Sequence, residues 1–238
     1  MEDEIIKHAK KAYKSMNDRS KSLWHRIIEI IIEVCIIVFA VSLSIWLHQR
    51  SEHAKEQAEV REFLSGLKKD LQEASDSTRE NIGEFNECKI KFTYLSALSR
   101  TKKPDPDSLN KYFTELQESP VFLNNESRYE GFKSSGKLEE IENKKLLADI
   151  LNYYQQIIPL YHGPVGAWHE LRRKLNELII DSLVTNEDGT DNRLHVLTIP
   201  KAHNLCFTLI PWDQLFERHE AIITNAENII KEIDEEYK

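Results

Sequence analysis

Two carboxylates, Glu29 and Glu33, are the residues of this chain that are best placed to do chemistry. They stand four positions apart, on one face of a predicted helix, in a stretch that is otherwise apolar from Ile27 onward. A charged carboxylate inside a membrane is costly, so it protonates, pairs with a cation or faces another protein, and it is a functional candidate by default. The alternative is a helix that sits lower in the membrane, with Glu29 at the interface and Glu33 reaching toward it. Because the predicted span contains no Lys or Arg, pairing would require a partner span or a second copy of the chain.

The stretch from Gly131 to Leu138 matches parts of two catalytic motifs. It fits the phosphate-loop pattern G-x-x-x-x-G-K, but Leu138 stands where Ser or Thr must bind Mg²⁺, and no strand precedes it. Ser134 and Lys137 also form S-x-x-K, but the SDN and KTG motifs of the penicillin-binding enzymes are absent. We therefore expect a helix that ends at Gly136, with Lys137 near its C-terminal dipole.

Histidine and cysteine give no sign of a metal site. The chain has 9 His, but neither H-E-x-x-H nor a Glu-x-x-His pair occurs. His219 falls on an apolar stripe, which predicts a hydrogen-bonded core histidine. For Cys88 and Cys206 a disulfide and two buried free thiols are both open. We predict no catalytic, cofactor-binding or metal-binding residue, and a protein that is not an enzyme.

The composition favours a folded, mostly helical chain. Its 238 residues are 40% hydrophobic, which is too apolar for disorder, and the 7 Gly and 7 Pro are too few for a turn-rich β-sandwich or barrel. With 40 acidic against 32 basic residues the net charge is −8, so we expect no nucleic-acid partner.

One segment, residues 27–47, predicts a transmembrane helix. It has 21 residues without Lys or Arg, and a helix of that length spans about 31 Å, close to the thickness of a bilayer core. Trp24 and Trp46 bracket it at the level that amphipathic rings prefer. A cleaved signal peptide is the first alternative, since Ala40-Val41-Ser42 resembles a cleavage site, but the apolar run continues beyond it. A buried core helix is the second.

The basic residues predict the orientation of this span. Residues 1–26 carry seven Lys and Arg, whereas the 20 residues after Leu47 carry three. The positive-inside rule therefore places residues 1–26 in the cytoplasm and residues 48–238 on the other side of the membrane.

Beyond the span, amphipathic periodicity predicts an all-α bundle. Apolar residues recur at heptad spacing from Val60 to Leu95, which indicates that the transmembrane helix continues into a long helix with one buried seam. We expect a helix break at Gly163-Pro164, a loop over residues 185–200 with a short extended piece at 194–199, and a last helix over residues 212–236. The predicted core includes Leu64, Leu71, Leu151, Trp168, Leu175, Ile222 and Ile230.

Three features of the sequence form a recognisable pattern: the basic N-terminus, the segments EVCIIVFAVSLSIWL and LSGLKKDLQE, and the stretch from Tyr129 to Asn143 followed by Leu151-Asn-Tyr-Tyr154. In these features the chain is similar to an uncharacterised family, a domain of unknown function, of single-pass membrane proteins from Bacteroidota-type bacteria. The likeness implies an inner-membrane protein with a periplasmic domain, but no activity. The family-like motif residues are Tyr129, Ser134, Ser135, Gly136, Lys137, Tyr153 and Tyr154.

Together these features predict a membrane-anchored, non-enzymatic interaction or scaffold protein. Its expected partners are the lipid bilayer and either a second membrane protein or further copies of the chain. The alternative function is an accessory subunit of an ion-driven inner-membrane complex, because such subunits combine a short cytoplasmic tail, one span with an acid and an external domain.

Overall fold

The computed structural model describes residues 10, 23–99, 103–117, 120 and 125–237. It is 85% helical, and the described residues contain no strand, only an isolated antiparallel bridge between Thr185 and Asp191. The predicted all-α fold class is therefore confirmed. The chain forms two compact units, Met1–Glu59 and Val60–Lys238.

Helix α1 runs over 74 residues, Leu23–Ser96. Near its N-terminus it is long and apolar enough to cross a membrane, with a mean hydropathy of 2.7 in its most apolar 18-residue window. Large apolar side chains are exposed there, including Phe39 and Val38. A core helix of the same composition would be buried, so the second alternative to a membrane span is wrong for this structure.

The other helices are shorter and belong to the second unit. In chain order they are α2 (Pro106–Thr114), α3 (Ser127–Ser134), α4 (Lys144–Asn152), α5 (Ile158–Ser182), α6 (Arg193–Thr198), α7 (Pro200–Thr208) and α8 (Asp213–Glu236). Short 3-10 turns cover Glu115–Gln117 and Lys137–Glu140, and a π turn covers Tyr153–Ile157.

The predicted heptad seam of α1 is the centre of the core. Val60, Leu64, Leu71, Phe85 and Phe92 are all buried. The polar layer at Thr78 and Asn81 is also buried, and both side chains donate to backbone carbonyls one turn earlier, at 2.6 Å and 3.0 Å. Of the other predicted core residues, Trp168, Leu175 and Ile222 are fully buried, while Leu151 and Ile230 are partly buried against the core.

Two helix starts follow from local capping. Asp105 caps α2, because its carboxylate accepts the backbone N–H of Ser108 at 2.9 Å and Pro106 occupies the first helical position. Asn143 caps α4, because its side-chain oxygen accepts the backbone N–H of Leu146 at 3.1 Å.

Two local predictions are wrong. The structure has no break at Gly163-Pro164, and α5 continues through Pro164 to Ser182. The expected extended piece at 194–199 is helix α6, in which Val196 and Leu197 are buried. A short apolar run fits either a helix or a strand, so periodicity alone could not distinguish them.

Candidate functional site

Three tyrosines of the family-like motif meet in the core. The rings of Tyr129 and Tyr154 stack with centroids 4.1 Å apart and an interplanar angle of 6°, and Tyr153 meets Tyr154 edge-on at 4.9 Å. Gln155 donates to the hydroxyl of Tyr129 at 3.0 Å. The structure thus brings together residues that are distant in the sequence, but it buries all three tyrosines.

Contacts between α3 and α1 hold Tyr129 in this position. Arg128 binds Asp70 at 2.7 Å, and its guanidinium lies over Gly66, where any Cβ would collide with it. The rings of Phe63 and Phe132 stack at 3.9 Å. A side chain at position 66 of the long helix α1 would therefore require the guanidinium of Arg128 to move.

Burial determines what the tyrosines can do. It raises the pKa of Tyr153 far above the ordinary value, with a smaller contribution from Glu126. Burial likewise raises the pKa of Tyr154, and Tyr153 and Asp70 add to the effect. The hydroxyl of Tyr153 has no hydrogen-bond partner among the described residues. The hydroxyls of Tyr153 and Tyr154 therefore stay protonated at physiological pH, and the buried rings are suited to packing.

The rest of the motif lies at the surface. Ser134 and Ser135 are exposed, and Lys137 is half-buried. Ser135 donates to the carbonyl of Phe132 at 2.7 Å, and Gly136 takes a left-handed conformation with φ +77°. These residues form the turn that ends α3, which agrees with the expected helix end. The motif is divided between a buried aromatic cluster and an exposed turn.

Glu33 differs from its neighbours in α1. It is 8% exposed, whereas Ile32 and Val34 are 52% and 53% exposed. Glu29 is half-buried, and both carboxylates have an interaction partner in the chain. A partner within the chain was not anticipated, because the predicted span itself contains no Lys or Arg.

Two buried cations were not predicted. Lys91 donates to the carbonyl oxygen of Glu115 at 2.6 Å, and Arg172 donates to the carbonyl of Leu116. The Arg172 guanidinium also lies 5.7 Å from the ring centroid of Trp168. A signal existed for Arg172, because it falls in the apolar stripe that includes Trp168, whereas Lys91 resembles any other lysine of an exposed helix face.

His219 is the hydrogen-bonded core histidine that was expected. Its Nε2 lies 3.1 Å from the hydroxyl of Tyr161, and its Nδ1 lies 2.8 Å from the carbonyl of Leu215. Burial lowers the pKa of this imidazole. Within the described ranges that were searched, no group of three or more His, Cys, Asp or Glu could hold a metal ion.

The cysteines of the bundle are buried free thiols. Burial raises the pKa of Cys88, against the opposing influence of Lys91 and Arg172, and it raises the pKa of Cys206 to about 12. Neither thiol is suited to nucleophilic chemistry while the bundle is closed.

A polar groove of about 580 Å³ lies between α4 and α8. Its polar and charged groups are bound to each other. Lys145 binds Glu232 and Asp149, and the amide of Asn143 donates to Glu236 at 2.8 Å. It is an open polar groove and lacks the apolar lining of a substrate pocket.

Comparison with family models, curated proteins and solved structures finds no match. The family resemblance therefore stays a prediction, and any functional argument depends on the residues themselves.

Proposed function

We propose that this chain is a membrane-anchored, non-enzymatic interaction or scaffold protein with a helical periplasmic domain. The observation that supports this proposal most is the exposed apolar stretch of residues 27–47, which stands in the same chain as a bundle whose core is closed by side chains. The polar groups best suited to catalysis are used inside that bundle, since Lys91, Arg172 and His219 bind backbone carbonyls.

The proposed topology places residues 1–26 in the cytoplasm, the span in the inner membrane and residues 48–238 in the periplasm. The excess of basic residues before the span supports this orientation, and the family resemblance supports a bacterial inner membrane. We expect a periplasm-specific reporter to show activity when it is fused after Lys238. Activity of a cytoplasm-specific reporter at the same position would reverse the orientation.

The interaction role is tested by purifying the full-length protein from native membranes. We expect a stoichiometric membrane-protein partner or a homo-oligomer, detected by mass spectrometry and size-exclusion chromatography with light scattering. A monomer without any co-purifying protein would argue against a scaffold.

One observation favours a second candidate, an accessory subunit of an ion-driven complex. Glu33 is a carboxylate within an apolar stretch, and it is shielded while its neighbours are exposed. A shielded acid at such a position can take up and release protons or bind a cation. Loss of ion-driven output in Glu33→Gln with the complex intact would favour this candidate over a passive scaffold.

A further inference from the structure

The residues from Tyr153 to Gly166 form an unusual part of a helical run. Lys144–Asn152, the π turn and Ile158–Ser182 follow one another directly. Yet within eight positions this part contains Pro159, Gly163, Pro164 and Gly166. Proline and glycine are the two poorest helix formers among the amino acids. A helix that continues through such a sequence must be stabilised from outside.

The π turn accounts for the first proline. The N–H of Ile158 bonds to the carbonyl of Tyr153, five residues back. In a regular α-helix, the ring of Pro159 would press against the carbonyl of Gln155. Widening the turn just before Pro159 relieves this contact, and such π turns occur frequently at functional sites.

Helix α8 accounts for the second proline. Pro164 has no N–H, so the carbonyl of Leu160 lacks its helical donor. Arg218 of α8 donates to that carbonyl instead. The next residue of each helix makes a second link, because the hydroxyl of Tyr161 lies 3.1 Å from Nε2 of His219. Added Cβ atoms at Gly163 and Gly166 would meet nothing within 4 Å, so the backbone is uncrowded there.

We propose that residues 153–166 are a hinge, that Arg218 and His219 are its latch, and that the latch opens when His219 takes up a second proton. The contact between Nδ1 and the carbonyl of Leu215 at 2.8 Å places the single proton of the neutral ring on Nδ1. Nε2 is then the acceptor for Tyr161. A second proton turns Nε2 into a donor, so the hydroxyl of Tyr161 must rotate to accept from it, and the ring becomes charged although it is fully buried.

The surroundings of His219 oppose this second proton while the hinge is closed. The imidazole meets Phe85 of α1 at 5.2 Å between ring centroids, Tyr161 of α5 at 4.8 Å and Phe216 of its own helix at 6.5 Å. The carboxylate of Glu220, which is exposed on the same helix, raises the pKa of His219, but its effect is smaller than that of burial. Opening the hinge hydrates the imidazolium, so acid shifts the equilibrium toward the open form.

Hydrogen exchange of the full-length protein in detergent micelles, followed by mass spectrometry, tests the hinge. At about pH 7.5, after correction for intrinsic rates, we expect peptides within 153–166 to exchange about tenfold faster than peptides within 168–179. At about pH 5.5, below the ordinary pKa of histidine, this ratio should increase further. Equal protection along 144–182 at both pH values would overturn the hinge.

Variants test the latch. His219→Phe keeps a ring but cannot titrate, so it should abolish the extra exchange in acid, whereas His195→Gln, at an exposed histidine, should leave it unchanged. Persistence of the acid effect in His219→Phe would overturn the proton switch. Arg218→Met should speed exchange of the hinge peptides in the native chain but have no effect in Pro164→Ala, where an N–H for Leu160 is restored. An equal effect of Arg218→Met in both backgrounds would overturn the role of Arg218.

A further variant keeps the hinge testable if His219→Phe does not fold. Gly163→Ala with Gly166→Ala should slow exchange of the hinge peptides about tenfold, since alanine is a better helix former and has room at both positions. Unchanged exchange in this folded double variant would show that the segment does not open as a hinge.

Discussion

The ammonium of Lys91 lies 2.6 Å from the backbone carbonyl oxygen of Glu115. Its side chain is only 5% exposed, and the Glu115 carboxylate is 3.8 Å away. Arg172 binds the carbonyl of the next residue, Leu116. Two cations, from α1 and α5, therefore bind the 3-10 turn Glu115–Gln117 that follows α2, and Leu116 is buried beside them.

Replacing Lys91 should reveal the strength of this attachment. We expect Lys91→Met to lower the free energy of unfolding by about 1–3 kcal/mol, because a charged hydrogen bond in a buried place is lost. The matched control is Lys89→Met, which removes an exposed ion pair with Asp213 and should cost less than about 1 kcal/mol. Thermal unfolding followed by circular dichroism measures both, and equal losses would contradict the prediction.

Two glycines of the family-like stretch should respond to alanine in opposite directions. Gly136 has φ +77°, so Gly136→Ala should destabilise by about 1 kcal/mol through backbone strain. Gly131 lies inside α3 with nothing within 4 Å of an added Cβ, so Gly131→Ala should stabilise by about 0.5–1 kcal/mol. Melting temperatures of the two variants test this, and a shift of the same sign in both would refute it.

The buried tyrosines predict instability in alkali. Burial raises the pKa of Tyr153, Tyr154 and Tyr161 above the ordinary value. A group whose pKa is raised by folding contributes stability below its unfolded pKa, and this stability is lost as the pH rises above about 10. In an ultraviolet titration we expect exposed tyrosines to ionise first and the buried ones to ionise only together with loss of helical signal.

A substitution identifies one of the tyrosines that ionise only on unfolding. Tyr154→Phe should lower by one the number of tyrosines that ionise together with the loss of helical signal, and it should leave the number that ionise earlier unchanged. Ionisation of all 8 tyrosines near the ordinary pKa, with the helical signal intact, would be incompatible with the buried cluster.

The role of Glu33 can be separated into distinct outcomes. If Glu33 serves assembly, Glu33→Gln should preserve association, because an amide can form hydrogen bonds between helices. If it pairs with a partner's cation, the same change should release that partner. We expect Glu33→Leu to lose a partner or an oligomer in native-membrane pull-downs. Glu29→Gln serves as a control nearer the end of the span, and unchanged assembly and phenotype in Glu33→Leu would mean that the carboxylate has no such role.

The sequence predicts best where many residues repeat one signal. The seam from Val60 to Leu95 extends over five heptads, so single polar exceptions such as Thr78 did not obscure α1. His219 was also predicted, because its stripe is otherwise apolar. In contrast, the continuation through Pro164 depends on Arg218, whose donor reaches Leu160 across 58 positions. No local pattern contains such a contact.

The candidate site was predictable only in part. The stretch from Tyr129 to Asn143 was recognised as a unit, but its division into core and turn depends on α3 lying against α1. The two buried cations bind backbone carbonyl groups. Because every residue has such a group, these contacts could not be predicted from the sequence. For that reason Lys91 could not be distinguished from Lys89 in advance.

The pairing of α1 with α8 has a consequence for how the protein is made. Lys68 and Asp234 form an ion pair although they are 166 residues apart. At about 5–20 residues per second, a ribosome needs roughly 8 to 33 seconds to make the chain between them. During that time the apolar seam of α1 has been synthesised but has no α8 to cover it. The nascent chain should therefore depend on holdase chaperones, and their depletion should reduce its yield more than that of a protein whose neighbouring helices pack in chain order.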